Sequence, residues 1–142
     1  MRSLVVDDSK SVRFFLRDTL RQYGACEAAE TGVEGVKMFE DALKDNIPFN
    51  LVVMDIMLPE LNGHDALKQI ADLEKEYHVS GKDKAKYIMI SSLKDGRNMM
   101  RAHYEEGVAL YITKPIRRET LKEALINLGF VVHPVRELMD IA

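Results

Sequence analysis

Short, continuously apolar runs alternate along this 142-residue chain with segments of helical period. Polar and apolar residues do not alternate within these runs. Such a pattern is typical of strands that are buried on both faces of a sheet. The clearest runs are 4–6, 51–54, 87–90 and 110–112, and a weaker one is 25–29. A series of strand–helix units predicts an α/β fold with a parallel sheet and helices on both faces.

Amphipathic segments fill the gaps between these runs. Their apolar residues recur three or four positions apart and therefore share one helical face. The residues that define the faces are Val12, Phe15, Leu16 and Leu20; Val36, Phe39 and Leu43; Leu67, Ile70, Leu73 and Tyr77; and Leu121, Leu125 and Leu128. The segment 95–106 is predicted as a less regular helix. Thr31-Gly32-Val33-Glu34 is typical of a capping box at a helix start.

Charge and apolar content limit the class of protein. A net charge of -3 gives no general attraction to nucleic acid or to anionic membranes. No apolar run approaches the roughly 20 residues that span a bilayer, and the first residues become acidic too soon for a signal peptide. Cys26 is the only cysteine, which excludes an internal disulfide. We therefore expect a single cytoplasmic domain, with Cys26 as a small core residue in an edge strand.

Three carboxylates follow strands of the predicted sheet. Asp7 and Asp8 end the first strand, and Asp55 ends the third. Function gathers at the carboxyl ends of strands in such sheets, and these two strands are expected to be neighbours. At about 4 Å and an effective dielectric near 20, two carboxylates repel by roughly 4 kcal/mol, which a bound cation would relieve. Oxygen ligands in an incomplete cage suit Mg²⁺. The alternative is that Asp7 and Asp8 only cap the first helix.

Two further polar residues follow strands at the same edge. Lys114 follows the fifth run, where its ammonium group could pair with Asp55 or with an anion; the alternative is a solvated lysine. Pro115 suggests a fixed turn, and the bond before it is a candidate for the cis form that about 5–6% of X-Pro bonds adopt. Ser91 ends the fourth strand, where its hydroxyl could donate to an anion; the alternative is an ordinary strand-end serine.

Together these motifs resemble the receiver domains of two-component response regulators. The matching segments are Leu4-Val5-Val6-Asp7-Asp8-Ser9 with Arg13, Val53-Met54-Asp55-Ile56-Met57-Leu58-Pro59 with Gly63, Met89-Ile90-Ser91-Ser92, and Tyr111-Ile112-Thr113-Lys114-Pro115. The resemblance is to stand-alone, chemotaxis-regulator-like receivers and covers residues 1–128. It implies a flavodoxin-like, doubly wound (βα)5 fold, a three-layer sandwich with parallel strands in the order 2-1-3-4-5.

The resemblance implies a phosphoacceptor and a metal site. Asp55 would take a phosphoryl group from a sensor histidine kinase or a phosphotransfer protein. Asp8 would bind Mg²⁺ directly, and Asp7 would act mainly through water. Asp55 and the backbone carbonyl of Met57 would be further ligands, and Mn²⁺ would substitute for Mg²⁺. Such a chain is not an enzyme with turnover; it promotes its own phosphorylation and a slow autodephosphorylation.

The resemblance also implies how a signal would leave the site. Ser91 and Lys114 would contact phosphoryl oxygens, and Tyr111 would be the switch aromatic that moves inward when Ser91 shifts. The output face would consist of the fourth helix, the fifth strand and the fifth helix, and it would contact an unknown downstream protein. The protein would be a monomer or a weak homodimer through that face, with neither nucleic acid nor membrane as a partner.

Three positions near the acceptor are expected to tune the lifetime of the phosphoryl group. In this family, the residues two after the acceptor and two after the switch serine flank that group. Here they are Met57 and Leu93. Because apolar side chains should exclude or misplace the attacking water, we predict a long-lived phosphoryl state. The small Ser92 should leave the site accessible to small-molecule phosphodonors.

Residues 129–142 extend beyond the predicted domain. The apolar run 130–132 and the helical spacing of Val135, Leu138 and Met139 fit either a packed segment or a docking or dimerisation element. The four histidines show no metal spacing and are expected at surface or partly buried positions; they are His64, His78, His103 and His133.

Two other functions were weighed against the phosphoacceptor switch. An aspartate-dependent phosphohydrolase typically carries Asp-x-Asp after its first strand, whereas this chain has Asp7-Asp8-Ser9. A degenerate receiver that serves only as a binding module would have lost an acidic residue or the lysine, and all of them are present.

Overall fold

A five-stranded parallel sheet forms the centre of the computed structural model, which describes residues 1–92 and 107–131. The strands are β1 (Ser3–Val6), β2 (Cys26–Ala29), β3 (Leu51–Asp55), β4 (Lys86–Ser91) and β5 (Leu110–Thr113). Their order is β2-β1-β3-β4-β5, which confirms the predicted order. The predicted helix at 95–106, Leu93, and residues 132–142 lie outside the described residues.

The described part of the chain has four α-helices: α1 (Lys10–Leu20), α2 (Gly32–Lys44), α3 (Gly63–Glu76) and, after β5, α4 (Arg118–Asn127). The first three begin where a side-chain oxygen accepts an amide of the first turn; the capping residues are Ser9, Thr31 and Asn62. The predicted capping box is half right. Thr31 accepts from the Glu34 amide at 3.1 Å, but the Glu34 carboxylate accepts from the Glu30 amide rather than from Thr31.

Two apolar cores cover the two faces of the sheet. Successive strand residues point to opposite faces, so Leu4 and Val6 join α2 and α3 on one side, while Val5 joins α1 and α4 on the other. Cys26 is buried in the edge strand β2, as predicted. Within the described residues, no helix is long and apolar enough to cross a membrane.

The start of α3 lies unusually close to the end of β3. The Gly63 amide donates to the Ile56 carbonyl at 2.9 Å. A Cβ atom on Gly63 would lie 2.2 Å from the carbonyl oxygen of Asp55, closer than two such atoms can approach. A glycine is therefore required for α3 to begin at this point, and the contact fixes the backbone that carries Asp55.

One histidine departs from the sequence-based expectation. His64 is buried, with 2% of its surface exposed, so its predicted surface or partly buried position is wrong. The physical reason is the close approach of Gly63, because it presses the first turn of α3 against the sheet. His78 is exposed, as expected, and His103 and His133 lie outside the described residues.

A buried carboxylate ties the end of α3 to the start of β4. Glu74 is 2% exposed and accepts hydrogen bonds from the Ala85 amide, at 2.9 Å, and from the Tyr87 hydroxyl. Burial and the neighbouring Glu74 raise the pKa of Tyr87 above its ordinary value. The hydrogen bond between Tyr87 and Glu74 lies at the opposite end of β4 from Ser91, away from the acidic cluster.

Candidate functional site

The three predicted acidic residues meet at the carboxyl edge of the sheet. Because Val6 pairs with Met54 in the β1–β3 register, the residues that follow them are neighbours. One carboxylate oxygen from each of Asp7, Asp8 and Asp55 lies within 4.8 Å of the other two. Asp7 and Asp55 are buried, at 0% and 4% exposure, whereas Asp8 is exposed. The cluster therefore has two buried carboxylates and one that faces solvent.

Lys114 supplies a cation that two of these carboxylates share. Its Nζ lies 3.0 Å from Oδ2 of Asp7 and 3.1 Å from Oδ2 of Asp55. The backbone holds this lysine beside β4, because its amide donates to the Ser91 carbonyl at 2.8 Å. The bond to Pro115 is cis, the form for which the sequence made it a candidate. Sequence reasoning expected a pairing with Asp55 and missed the one with Asp7.

The charges of the site are not fully balanced by Lys114. Burial, together with the neighbouring Asp7 carboxylate, raises the pKa of Asp55 to about 6, although Lys114 and the Met57 amide act in the opposite direction. Burial alone would lower the pKa of Lys114, but its contacts with Asp7 and Asp55 raise it overall. The ammonium group is thus held in its charged form, while the carboxylates still carry excess negative charge.

The chain around Asp55 provides an amide donor and an unsatisfied hydroxyl. The Met57 amide donates to Oδ1 of Asp55 at 3.2 Å, and the Met57 side chain is 59% exposed at the mouth of the site. The role of the Met57 carbonyl as a metal ligand stays a prediction. Ser91 is 1% exposed, and its hydroxyl oxygen has no hydrogen-bond partner among residues 1–92 and 107–131. A buried hydroxyl of this kind is available to a ligand.

Of the remaining predicted site residues, the structure describes Tyr111 and Ser92. Tyr111 on β5 is partly buried, and its hydroxyl oxygen is buried as well. Ser92 is exposed, which fits an open approach to the site. Leu93 lies outside the described residues, so its tuning role stays a prediction.

Arg13 belongs to the first sequence motif, which assigns it no separate role. Its Nη1 donates to the backbone carbonyl of Asp7 at 2.8 Å. Asp7 Oδ1 also accepts the Ser9 amide at 2.8 Å. The only sequence signal was position, because Arg13 lies one turn into the helix that follows the acidic pair.

An apolar groove opens beside Lys114. It encloses about 470 Å³ between α1 and the chain after β5, and its lining residues are Ser11, Val12, Phe15, Lys114, Pro115 and Ile116. Phe14, on the same helix, is 74% exposed. The molecule thus presents an apolar surface next to its acidic cluster.

Comparison with known proteins decides the family. The profile of the response regulator receiver domain matches residues 3–126. The chain belongs to the response regulator receiver family. This receiver is 32% identical over 123 residues to the chemotaxis protein CheY of Halobacterium salinarum, an alignment that covers 86% of this chain and 91% of the relative. It is 29% identical over 126 residues to CheY of Bacillus subtilis, covering 87% and 93%.

Solved structures have the same fold. The receiver matches a CheY-like receiver domain protein from Methanospirillum hungatei with a TM-score of 0.73 and 26% identity, over 89% of this chain and 91% of that one. It matches the receiver domain of the histidine kinase CKI1 from Arabidopsis thaliana, complexed with Mg²⁺ and BeF₃⁻, with a TM-score of 0.72 and 25% identity, over 86% and 87%. The flavodoxin-like receiver fold is confirmed. Receiver domains act as phosphoacceptor switches rather than as classical enzymes.

Proposed function

We propose that this receiver is a magnesium-dependent switch that accepts a phosphoryl group on Asp55. The observation that carries the proposal is the shared lysine, whose Nζ lies 3.0 Å from Asp7 and 3.1 Å from Asp55. Incubation with acetyl phosphate and Mg²⁺, comparing the wild-type chain with Asp55→Asn, tests it. Phosphorylation of neither chain would favour a binding module instead.

The donor atoms of the acidic cluster suit Mg²⁺. They are carboxylate oxygens within 4.8 Å of one another, and they carry more negative charge than Lys114 offsets. Asp8 and Asp55 would contact the ion, Asp7 would act mainly through water, and the Met57 carbonyl would add a ligand; Mn²⁺ would substitute. When bound, the ion supplies positive charge for the transferring phosphoryl group. The related CKI1 receiver was solved with Mg²⁺ and BeF₃⁻.

Phosphoryl transfer needs alignment and charge neutralisation more than covalent assistance. A carboxylate oxygen of Asp55 attacks the phosphorus of a phosphohistidine; the new O–P bond forms as the N–P bond breaks, and its electron pair stays on the imidazole nitrogen. The Met57 amide holds Oδ1 of Asp55 in place. Lys114 pairs with a phosphoryl oxygen, and the buried Ser91 hydroxyl, without a partner among the described residues, donates to another.

An aspartyl phosphate would shift the equilibrium between two arrangements of the residues around Ser91 and Tyr111. It adds negative charge and strong acceptor oxygens beside Ser91. Movement of Ser91 would let Tyr111, on the neighbouring strand, change its packing. The altered surface of β5 and the helices beside it would then bind a downstream protein, either as a monomer or through a weak homodimer. The kinase and the target are set by the pathway in which the protein works.

A protein phosphodonor would use the apolar groove beside Lys114. To bring a phosphohistidine to Asp55, it must cover the surface next to Lys114, and that surface continues into the groove. Phe14 is 74% exposed and lies on α1, the helix that forms one wall of the groove. Phe14→Ala is therefore expected to slow phosphotransfer from an autophosphorylated sensor histidine kinase about tenfold, because buried aromatic anchors contribute more than 1 kcal/mol to interfaces. Phosphorylation by acetyl phosphate should stay within about twofold of the wild-type rate.

Val33→Ala is the matched control for Phe14→Ala. Val33 is 57% exposed, apolar and on α2, away from the groove. Its loss should leave both donors unaffected. Equal slowing of both donors by Phe14→Ala would show a general defect of the site and contradict docking at the groove.

Met57→Asn is expected to shorten the life of the phosphoryl group roughly tenfold, since an amide at this exposed position can orient an attacking water. Loss of phosphate after removal of excess acetyl phosphate is the measurement. Met57→Leu, which stays apolar, should keep the wild-type half-life. A wild-type half-life of seconds that Met57→Asn does not change would contradict the proposed tuning.

A further inference from the structure

We propose that Arg13 is a positioning residue that fixes the Asp7–Asp8 turn for cation binding. The inference rests on the proposed function, because it concerns the same acidic cluster. Among the described residues, the Arg13 side chain donates to the Asp7 carbonyl, and it thereby holds the backbone from which two of the three carboxylates project.

Asp7 is held at each of its polar groups. It lies one residue beyond the end of β1, and its amide still donates to the Ala29 carbonyl of β2 at 3.2 Å. Its two carboxylate oxygens contact the Ser9 amide, at 2.8 Å, and Lys114, at 3.0 Å. Its carbonyl accepts from Arg13 Nη1 at 2.8 Å. Because Asp7 has no exposed surface in the intact chain, its carbonyl relies on Arg13 rather than on bulk water as a donor.

The bond from Arg13 also determines where Asp8 lies. A peptide unit is planar, so a fixed carbonyl on Asp7 fixes the amide and Cα of Asp8. Asp8 is the exposed member of the cluster, and burial therefore does little to orient it. Arg13 is itself anchored, because its amide donates to the Ser9 carbonyl at 3.0 Å within the first turn of α1. A planar guanidinium group on a helix is a rigid support for such a turn.

Charge and position predict opposite effects of removing Arg13. A positive side chain near a cation site repels the cation, so loss of the charge alone would strengthen Mg²⁺ binding. Arg13 contacts an uncharged carbonyl, and loss of this support would let the Asp7–Asp8 turn move and would weaken Mg²⁺ binding. Tighter Mg²⁺ binding after the loss of Arg13 would therefore indicate an effect of its charge, and weaker binding would indicate a positioning role.

The test is calorimetric titration of the full chain with MgCl₂ in the absence of any phosphodonor. Arg13→Met keeps an apolar stem but removes the donor, and it is expected to weaken Mg²⁺ binding about tenfold, as losses of supporting contacts commonly do. Arg13→Lys, which keeps a donor, should recover part of the loss. Arg17→Met, an exposed arginine one turn further along α1, should stay within about twofold of wild type.

A second readout follows phosphorylation by acetyl phosphate across Mg²⁺ concentrations. Arg13→Met should raise the half-saturating Mg²⁺ about tenfold and leave the rate at saturation within about twofold. Thermal unfolding in metal-free buffer checks that each variant is folded; if Arg13→Met is not, Arg13→Lys must show the smaller shift in the same direction.

Unchanged or tighter Mg²⁺ binding by folded Arg13→Met would overturn the inference, as would equal weakening by Arg17→Met. A wild-type chain that binds no Mg²⁺ would overturn it together with the metal part of the proposed function. A wild-type chain that binds Mg²⁺ but accepts no phosphoryl group would count against the phosphoacceptor function alone, and the binding comparison would still decide the role of Arg13.

Discussion

Asp55→Asn is expected to lower phosphoryl incorporation from acetyl phosphate by more than about a hundredfold. The neutral amide cannot serve as the attacking oxygen, and it contributes less charge for a cation. The substitution keeps the shape of a side chain that is 4% exposed and removes one of the clustered negative charges. The melting temperature in metal-free buffer should therefore stay the same or rise, so loss of phosphorylation would not reflect unfolding.

Intact-mass spectrometry, with and without a chelator for Mg²⁺, measures this effect. Asp72→Asn is the matched control, because Asp72 is an exposed carboxylate on α3. This substitution should leave phosphoryl incorporation unchanged. The chelator should abolish incorporation in the wild-type chain. Wild-type incorporation by Asp55→Asn would place the acceptor on another residue and refute the proposed role.

Gly63→Ala is expected to lower the free energy of unfolding by about 1–3 kcal/mol, the usual cost of overpacking. The added Cβ would lie 2.2 Å from the Asp55 carbonyl oxygen and 2.9 Å from Cα of Ile56, and both neighbours are backbone atoms. Either α3 or the end of β3 must move. Because β3 carries the acceptor, phosphorylation of the folded variant should also slow.

Urea unfolding measures the change in the free energy of unfolding. The sign of this change shows whether the added methyl group is obstructed. In a helix with free space, replacing glycine by alanine stabilises a protein by about 0.4–1 kcal/mol. Gln69→Ala, at an exposed position of the same helix, should stay within about 0.5 kcal/mol of wild type. A Gly63→Ala variant as stable as the wild-type chain would show that the approach of α3 to Asp55 is not tight.

Local sequence patterns were enough to predict the strands and most helices. The uniformly apolar runs indicated strands buried on both faces, and β1 and β3 are buried at every position. The edge strand β2 gave a weaker signal, because two of its residues, Glu27 and Ala28, are only partly buried. The order of the strands came from the family resemblance, since periodicity does not specify which strands pair.

The candidate site was predictable in its members and less so in its contacts. The ends of β1 and β3 brought the three carboxylates together as expected. That Lys114, which follows β5, is shared with Asp7 depends on the reach of its side chain past β4 and β3, which sequence spacing does not encode. The bond from Arg13 and the burial of His64 likewise depend on how the first turns of α1 and α3 pack against the sheet.

The uneven exposure of the three carboxylates has a kinetic consequence. Asp8 is open to solvent, whereas Asp7 and Asp55 are buried. In the proposed function, a hydrated ion would therefore meet Asp8 first, and no movement of the chain would be needed to expose this carboxylate. The pace of exchange would then be set by how readily the ion sheds water, which is slow for Mg²⁺ by comparison with larger cations. Occupancy would follow the free concentration of the ion in the surrounding solution without an opening step.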